Sequence, residues 1–189
     1  SHTTDLAVDF GRKVRNLIAL DAYRSIFPTV KLAQDSKSAG RWNTNVGGEY
    51  YACGIGSALA GRGADLLLVD DPHSEQDVIN GNFGVFEKAY EWFTFGARTR
   101  LMPHGAVAII QTRWHLDDLT GRVVRDMGKN ERADQYDVVE FPAILDVLDK
   151  KTEKTVQKPL WPEFFDLEAL LRTKASMPVF QWNSQYQQQ

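Results

Sequence analysis

The sequence predicts an α/β fold, a mostly parallel sheet flanked by helices, on three observations. The apolar run Leu66-Leu67-Leu68-Val69 ends in Asp70-Asp71, and a second run, Ala106 to Ile110, ends in Gln111-Thr112-Arg113. Near-continuous apolar strands of this length suit a parallel sheet buried on both faces. Between them, residues Ser74 to Leu101 are long enough for the crossover that parallel strands require, read here as one long helix. Two strands that deliver acids and a polar sensor to the same sheet edge are the arrangement expected of a nucleotide-hydrolysing core.

The composition sets bounds. A chain of 189 residues is sized for one substantial domain and is short for two. Hydrophobic content of 43% with 25% charged residues is ordinary for a globular protein. A formal charge of -3 argues against a uniformly basic nucleic-acid surface and leaves room for local arginine clusters. Cys53 is the one cysteine, which excludes an internal disulfide and suits a reducing compartment. No apolar run approaches the ~20 residues that span a bilayer, and no signal-peptide pattern opens the chain. The first residue is not methionine, and the chain reads as a fragment that begins mid-element.

Taken in order, Ser1 to Asp5 offers several capping side chains, and Leu6, Phe10, Val14, Leu17 and Ile18 then recur at helical spacing with Arg12, Lys13 and Arg15 outward. Arg41 to Val46 and Glu49 to Ile55 flank Gly47-Gly48, a hairpin signal. A glycine-rich passage, from Gly54-x-Gly56 to Gly61-Arg62-Gly63, leads into the strand Asp65 to Val69. In the crossover, Phe83, Phe86, Tyr90, Phe93 and Ala97 form a stripe that should pack on the sheet, with Glu87, Lys88 and Glu91 in water. Pro103-His104-Gly105 reads as the turn before the second strand. Asp117-Asp118-Leu119 opens another helix, with Leu119, Val123 and Met127 inward and Gly128 as its stop. Tyr136 to Phe141 reads as a further strand ended by Pro142, and Asp146 to Lys158 as a solvated loop or excursion. A short helix capped by Asp166 follows, then a polar aromatic ending whose last glutamines read as a linker.

Asp70 and Asp71 carry the strongest chemical signal. In nucleotide hydrolysis the first acid of such a pair holds Mg²⁺ and the second orients or deprotonates the attacking water. Asp70 is therefore the candidate metal ligand and Asp71 the candidate base; the structural alternative is a strand-end pair capping the Asp71-Pro72 turn. Thr112, at the tip of the second strand, is placed to sense a γ-phosphate or the attacking water. Arg113 suits a phosphate or Asp71, and equally a structural cluster with Asp117 and Asp118, the role favoured for Trp114 and His115. Arg62 suits phosphate or DNA, or plain solvation. Gly54-x-Gly56 is a weak phosphate cradle because no Gly-Lys-Ser/Thr follows. Arg98 and Arg100 could serve a neighbouring subunit's nucleotide or only favour a helix C-terminus. His115, Asp117 and Asp118 with the aspartate pair could also be read as a two-metal nuclease site.

Two strings in combination, Gly61-Arg62-Gly63-Ala64-Asp65-Leu66-Leu67-Leu68-Val69-Asp70-Asp71-Pro72 and Gln111-Thr112-Arg113-Trp114-His115-x-Asp117-Asp118-Leu119-x-Gly121-Arg122, resemble the large terminase subunit of tailed bacteriophages. Ser1 to Leu17, Leu160-Trp161-Pro162 and Gln185-Tyr186-Gln187 agree with it. That family contains the ATP-driven motor that packages double-stranded viral DNA into a procapsid. The resemblance implies a P-loop NTPase-type (ASCE/RecA-like) α/β core, incomplete at the N-terminus, with residues 1–145 as the later part of the motor ATPase and 146–189 as an excursion, short helices and a linker toward a nuclease domain. It places Asp70 and Asp71 at the Walker B position, groups Gln111 with Asp70 in nucleotide binding, and assigns Thr112, with Arg113, to coupling hydrolysis with movement.

ATP and Mg²⁺ are the implied cofactors. The implied partners are viral DNA, the small terminase subunit, the portal protein and further copies in a ring, in the host cytoplasm with no membrane. Two departures from the family stand out. Many relatives carry glutamate where this chain has Asp71, and no Gly-x-x-x-x-Gly-Lys-Ser/Thr stretch occurs, so the phosphate-gripping loop is expected upstream of Ser1. The strand before that loop is expected between the two strands above, so that without it the sheet closes by direct pairing or is unstable, and ATP binds poorly. The alternatives are a non-catalytic fragment that binds a partner, or a metal-dependent nuclease segment.

Overall fold

A computed structural model describes residues 1–59, 61–150 and 152–188. It divides into two compact units, Ser1–Gln111 and Thr112–Gln189, each taken by itself below. The architecture is mixed α/β with three small sheets among the described residues.

The first unit opens with helix α1 (Thr4–Ile18), whose N-cap Thr3 accepts from the Leu6 amide, followed by α2 (Asp21–Ile26). The expected hairpin is present as β2 (Arg41–Thr44) and β3 (Glu49–Tyr51), and β1 (Leu32–Lys37), which its polar composition hid, makes it a three-stranded antiparallel sheet. Gly11 seats the helix on this sheet. Trp42 Nε1 donates to the Gly11 carbonyl at 3.1 Å, the Tyr50 ring stacks on Trp42, and the Tyr50 hydroxyl donates to Ala7. A Cβ at Gly11 would come within 2.5 Å of the Tyr50 ring and 2.7 Å of the Ala39 carbonyl, which is why a poor helix former sits mid-helix.

Strands β4 (Ala64–Asp70) and β5 (Leu101–Ile110) pair in parallel, from Leu66 opposite Ala106 to Asp70 opposite Ile110. No third strand lies between them: the sheet is closed by direct pairing. The expectation of burial on both faces is corrected. Side chains alternate along a strand, and Val69 is 1% exposed while Leu66 and Leu68 are 62% and 54% exposed, so one face alone is covered. Pro103-His104-Gly105 is not a turn but part of β5, where the register slips between Ala64–Leu101 and Leu66–Ala106 and His104 takes φ +68°.

The crossover is also not a single helix. It consists of α3 (Glu75–Ile79), with a Ser74–Asp77 capping box, then a break that includes Gly81 in the left-handed region, then α4 (Gly84–Glu91) running into a π-helical turn (Trp92–Ala97) and a 3₁₀ turn (Arg98–Arg100). The aromatic stripe is mainly core: Phe86, Phe93 and Ala97 are buried, whereas Phe83 is exposed.

The second unit contains α5 (Leu119–Lys129), capped by Asp118 and continuing through Gly128 to end at Asn130. Leu119 and Val123 are buried as expected. Tyr136 to Phe141 forms no strand; Val138, Val139 and Phe141 stay exposed and find no ladder. The expected loop over Asp146 to Lys158 is instead an antiparallel hairpin of β6 (Ile144–Asp149) and β7 (Lys154–Pro159), with Val147 opposite Val156 among charged neighbours. Helix α6 (Leu167–Ala175) takes its cap from Asp166 as expected, and α7 (Val179–Trp182) leads into a π-helical turn (Asn183–Gln187).

That ending is packed rather than a linker. Trp182, 1% exposed, stacks on Tyr186 and forms a core with Ile144 and Leu170. The Gln187 side chain exchanges hydrogen bonds with both backbone groups of Ile144, and Gln188 accepts from the Phe141 amide. Gln189 lies outside the described residues. Among the described residues, no helix is long and apolar enough to cross a membrane.

Candidate functional site

Parallel pairing brings the carboxyl ends of β4 and β5 to one edge, the edge where open α/β sheets bind ligands. Asp70 ends β4 opposite Ile110, the Asp71 amide donates to the Ile110 carbonyl at 2.9 Å, and Gln111 follows Ile110 directly. Strand alternation assigns Asp70 to the open face with Leu66 and Leu68. Asp71 leaves the strand with φ +41°, a left-handed conformation that aspartate tolerates better than most residues. The chain then enters buried Pro72 and His73, and the His73 ring meets Phe86 edge-on at 4.7 Å, tying the strand tip to α4.

Burial pushes the Asp70 carboxyl above its ordinary range, and the adjacent Asp71 charge raises it further. Two carboxylates at one strand tip repel, and a cation relieves that repulsion. Gln111 adds an orphan: both ends of its amide are buried with no hydrogen-bond partner among the described residues. Such a group costs about 1–3 kcal/mol until a ligand or water satisfies it.

The donor set fits Mg²⁺, a hard cation that binds through one or two carboxylates and completes its shell with water and substrate phosphate oxygens. Among the described residues, no three His, Cys, Asp or Glu side chains are grouped to hold a metal.

Thr112 and Arg113 open the second unit. Arg113 Nε donates to Asp118 Oδ2 at 2.9 Å. Asp118, fully buried, also accepts from the amides of Gly121 at 2.8 Å and Trp114 at 3.2 Å. The Arg113 carbonyl in turn accepts from the Ser184 hydroxyl. The guanidinium is thus built into the start of α5. His115 Nδ1 accepts from the Asp117 amide, and Asp117 pairs with Arg125, whose hydrogen bond holds that carboxyl below its ordinary range. These contacts are helix-start geometry, and nothing in them favours a two-metal nuclease. Arg62 is equally engaged in the first unit, paired with Glu49 and lying over the Tyr51 ring at 3.9 Å.

Of the five residues singled out in the sequence, the structure brings Asp70, Asp71 and Gln111 to one strand edge. Thr112 and Arg113 belong to the unit that begins beyond it. Sequence reasoning missed His2, whose amide and ring both reach the Asp71 carbonyl, a contact across 69 positions that no local pattern encodes. No protein-family model matches this chain, and no curated protein is significantly similar to it.

Proposed function

We propose that this chain is part of the ATP-hydrolysing motor of a phage large terminase subunit, with an ASCE-type core whose phosphate loop comes from a segment other than these residues. The observation that carries the reading is the shared edge of β4 and β5, where Asp70 and Asp71 end one strand and Gln111, its amide buried with no hydrogen-bond partner among the described residues, follows the other. Asp70 holds the metal, through water or directly, and Asp71 orients or deprotonates the attacking water. Bound Mg²⁺ supplies neutralisation of charge on the terminal phosphates. Gln111 satisfies its buried amide on nucleotide or its water shell. Thr112 with Arg113 reports loss of the γ-phosphate to the DNA-gripping surface. Double-stranded DNA, the small terminase subunit, the portal protein and further copies in a ring are the partners this role requires, and the host cytoplasm is its place.

A second reading, a non-catalytic module that binds a protein partner, draws on the uncovered β4–β5 face with exposed Leu66, Leu68 and Ile110. Turnover separates the two. This chain alone is expected to bind Mg·ATP poorly, and the protein carrying the phosphate loop to hydrolyse it. In that protein Asp71→Asn should abolish turnover while ATP still binds, and Thr112→Ala should uncouple hydrolysis from DNA movement. Full turnover by Asp71→Asn removes the proposed base and with it the motor reading.

A further inference from the structure

We propose that His2 is a positioning residue for the second acid: its amide and its ring together hold the Asp71 carbonyl, and through it the left-handed turn that ends β4. The role in hydrolysis rests on the function proposed above; the clamp itself rests on geometry.

Asp71 has φ +41° and precedes Pro72, whose ring further narrows the conformations open to the residue before it. A residue so placed relaxes unless its peptide groups are tied on both sides. Both ties are present. The Asp71 N–H donates to Ile110 of β5 at 2.9 Å, and its carbonyl accepts from His2 N at 2.9 Å and lies 3.1 Å from His2 Nδ1. A carbonyl offers two lone pairs, and one residue fills both; since the acceptor cannot donate, the ring must carry its proton on Nδ1. His2 is itself fixed from either side, because the Ser1 carbonyl accepts from Ile55 at 2.8 Å and Thr3 caps α1. Three consecutive residues thereby tie the start of α1 to Ile55 through Ser1 and to Asp71 through His2.

The reasoning requires a donor at the Nδ1 position. His2→Ala removes the ring donor, His2→Pro removes both donors, His2→Asn restores an amide nitrogen where Nδ1 stood, and His2→Gln puts its amide one methylene too far. The conformation of Asp71 is read in this chain from its ¹³Cα and ¹³C′ chemical shifts. Turnover is read in the protein that carries the phosphate loop. The expected result is a loss of left-handed character in the order Pro, then Ala and Gln, with Asn near wild type. With it kcat should fall about 10- to 100-fold, the scale of a misplaced catalytic group, while KM for ATP changes less than about twofold.

An Asp71 that keeps its left-handed shifts in both His2→Ala and His2→Pro overturns the proposal. So does an unchanged kcat once Asp71 has relaxed. A wild-type protein without ATPase activity refutes the proposed function instead, and the chemical shifts alone then decide whether His2 holds Asp71.

Discussion

Removing the Asp118 carboxylate tests whether Arg113 is held by the fold. The cap is fully buried and accepts from the Gly121 and Trp114 amides and from Arg113 Nε, while the Arg113 side chain retains 26% exposure. Asp118→Ala loses the helix cap, worth about 1 kcal/mol. It also strands the guanidinium, and breaking a buried pair from one side costs about 3–5 kcal/mol. Partial solvent contact at Arg113 lowers that second figure, so a total of about 3–4 kcal/mol is expected, a large share of the roughly 5–15 kcal/mol that a domain holds. Urea unfolding followed by tryptophan fluorescence reads it, because Trp114 is in the network and Trp182 in the core of the same unit. Combined with Arg113→Met, the two substitutions should be non-additive by about 1–3 kcal/mol. A loss at Asp118→Ala of less than about 0.5 kcal/mol, or additivity within about 0.5 kcal/mol, would refute the view that Arg113 is a structural part of the α5 start.

Two further outcomes follow from single residues. The Asp70 pKa is raised in the folded chain, so the stability linked to its proton is fully present below the unfolded value, about 3.9, and is lost as pH rises through the folded value. Asp70→Asn escapes that loss, and its thermal midpoint should exceed wild type by more at about pH 7 than at about pH 3; equal increments at both pH values would show that burial beside Asp71 does not govern Asp70. Gly121→Ala should destabilise α5 although alanine favours helix by about 1 kcal/mol, because a Cβ there would overlap the Leu116 carbonyl oxygen and lie 3.1 Å from Arg113 Nη2. A gain in urea midpoint for Gly121→Ala would contradict that packing.

Elements whose signal is local were legible. Asp166 caps the helix that it announces, and Thr3 and Asp118 cap theirs from within the short candidate strings before α1 and α5, because a cap is satisfied within three residues. The Gly47-Gly48 hairpin and the two apolar strands also stand close to where their patterns put them. Misreadings fell where neighbours outweigh pattern. Charged residues along Asp146 to Lys158 read as loop, yet a hairpin needs only a partner strand, and β6 and β7 supply each other. Tyr136 to Phe141 has strand composition, yet among the described residues no strand pairs with it, so it forms no ladder. The crossover from Ser74 to Leu101 reads as one helix, but the left-handed backbone at Gly81 interrupts it before the stripe begins at Phe83.

The candidate site divides the same way. By itself the sequence determined that two aspartates follow one apolar strand and Gln-Thr-Arg follows another, since a run of apolar residues and the polar residues that end it are properties of adjacent positions. Tertiary structure alone decided that these strands are direct parallel neighbours, that the Gln111 amide is buried with no partner among the described residues, that Arg113 is bonded to a buried carboxylate, and that His2 reaches Asp71. Strand order, burial and long-range hydrogen bonds depend on which surfaces exclude water together, and that is a property of the folded chain rather than of any stretch within it.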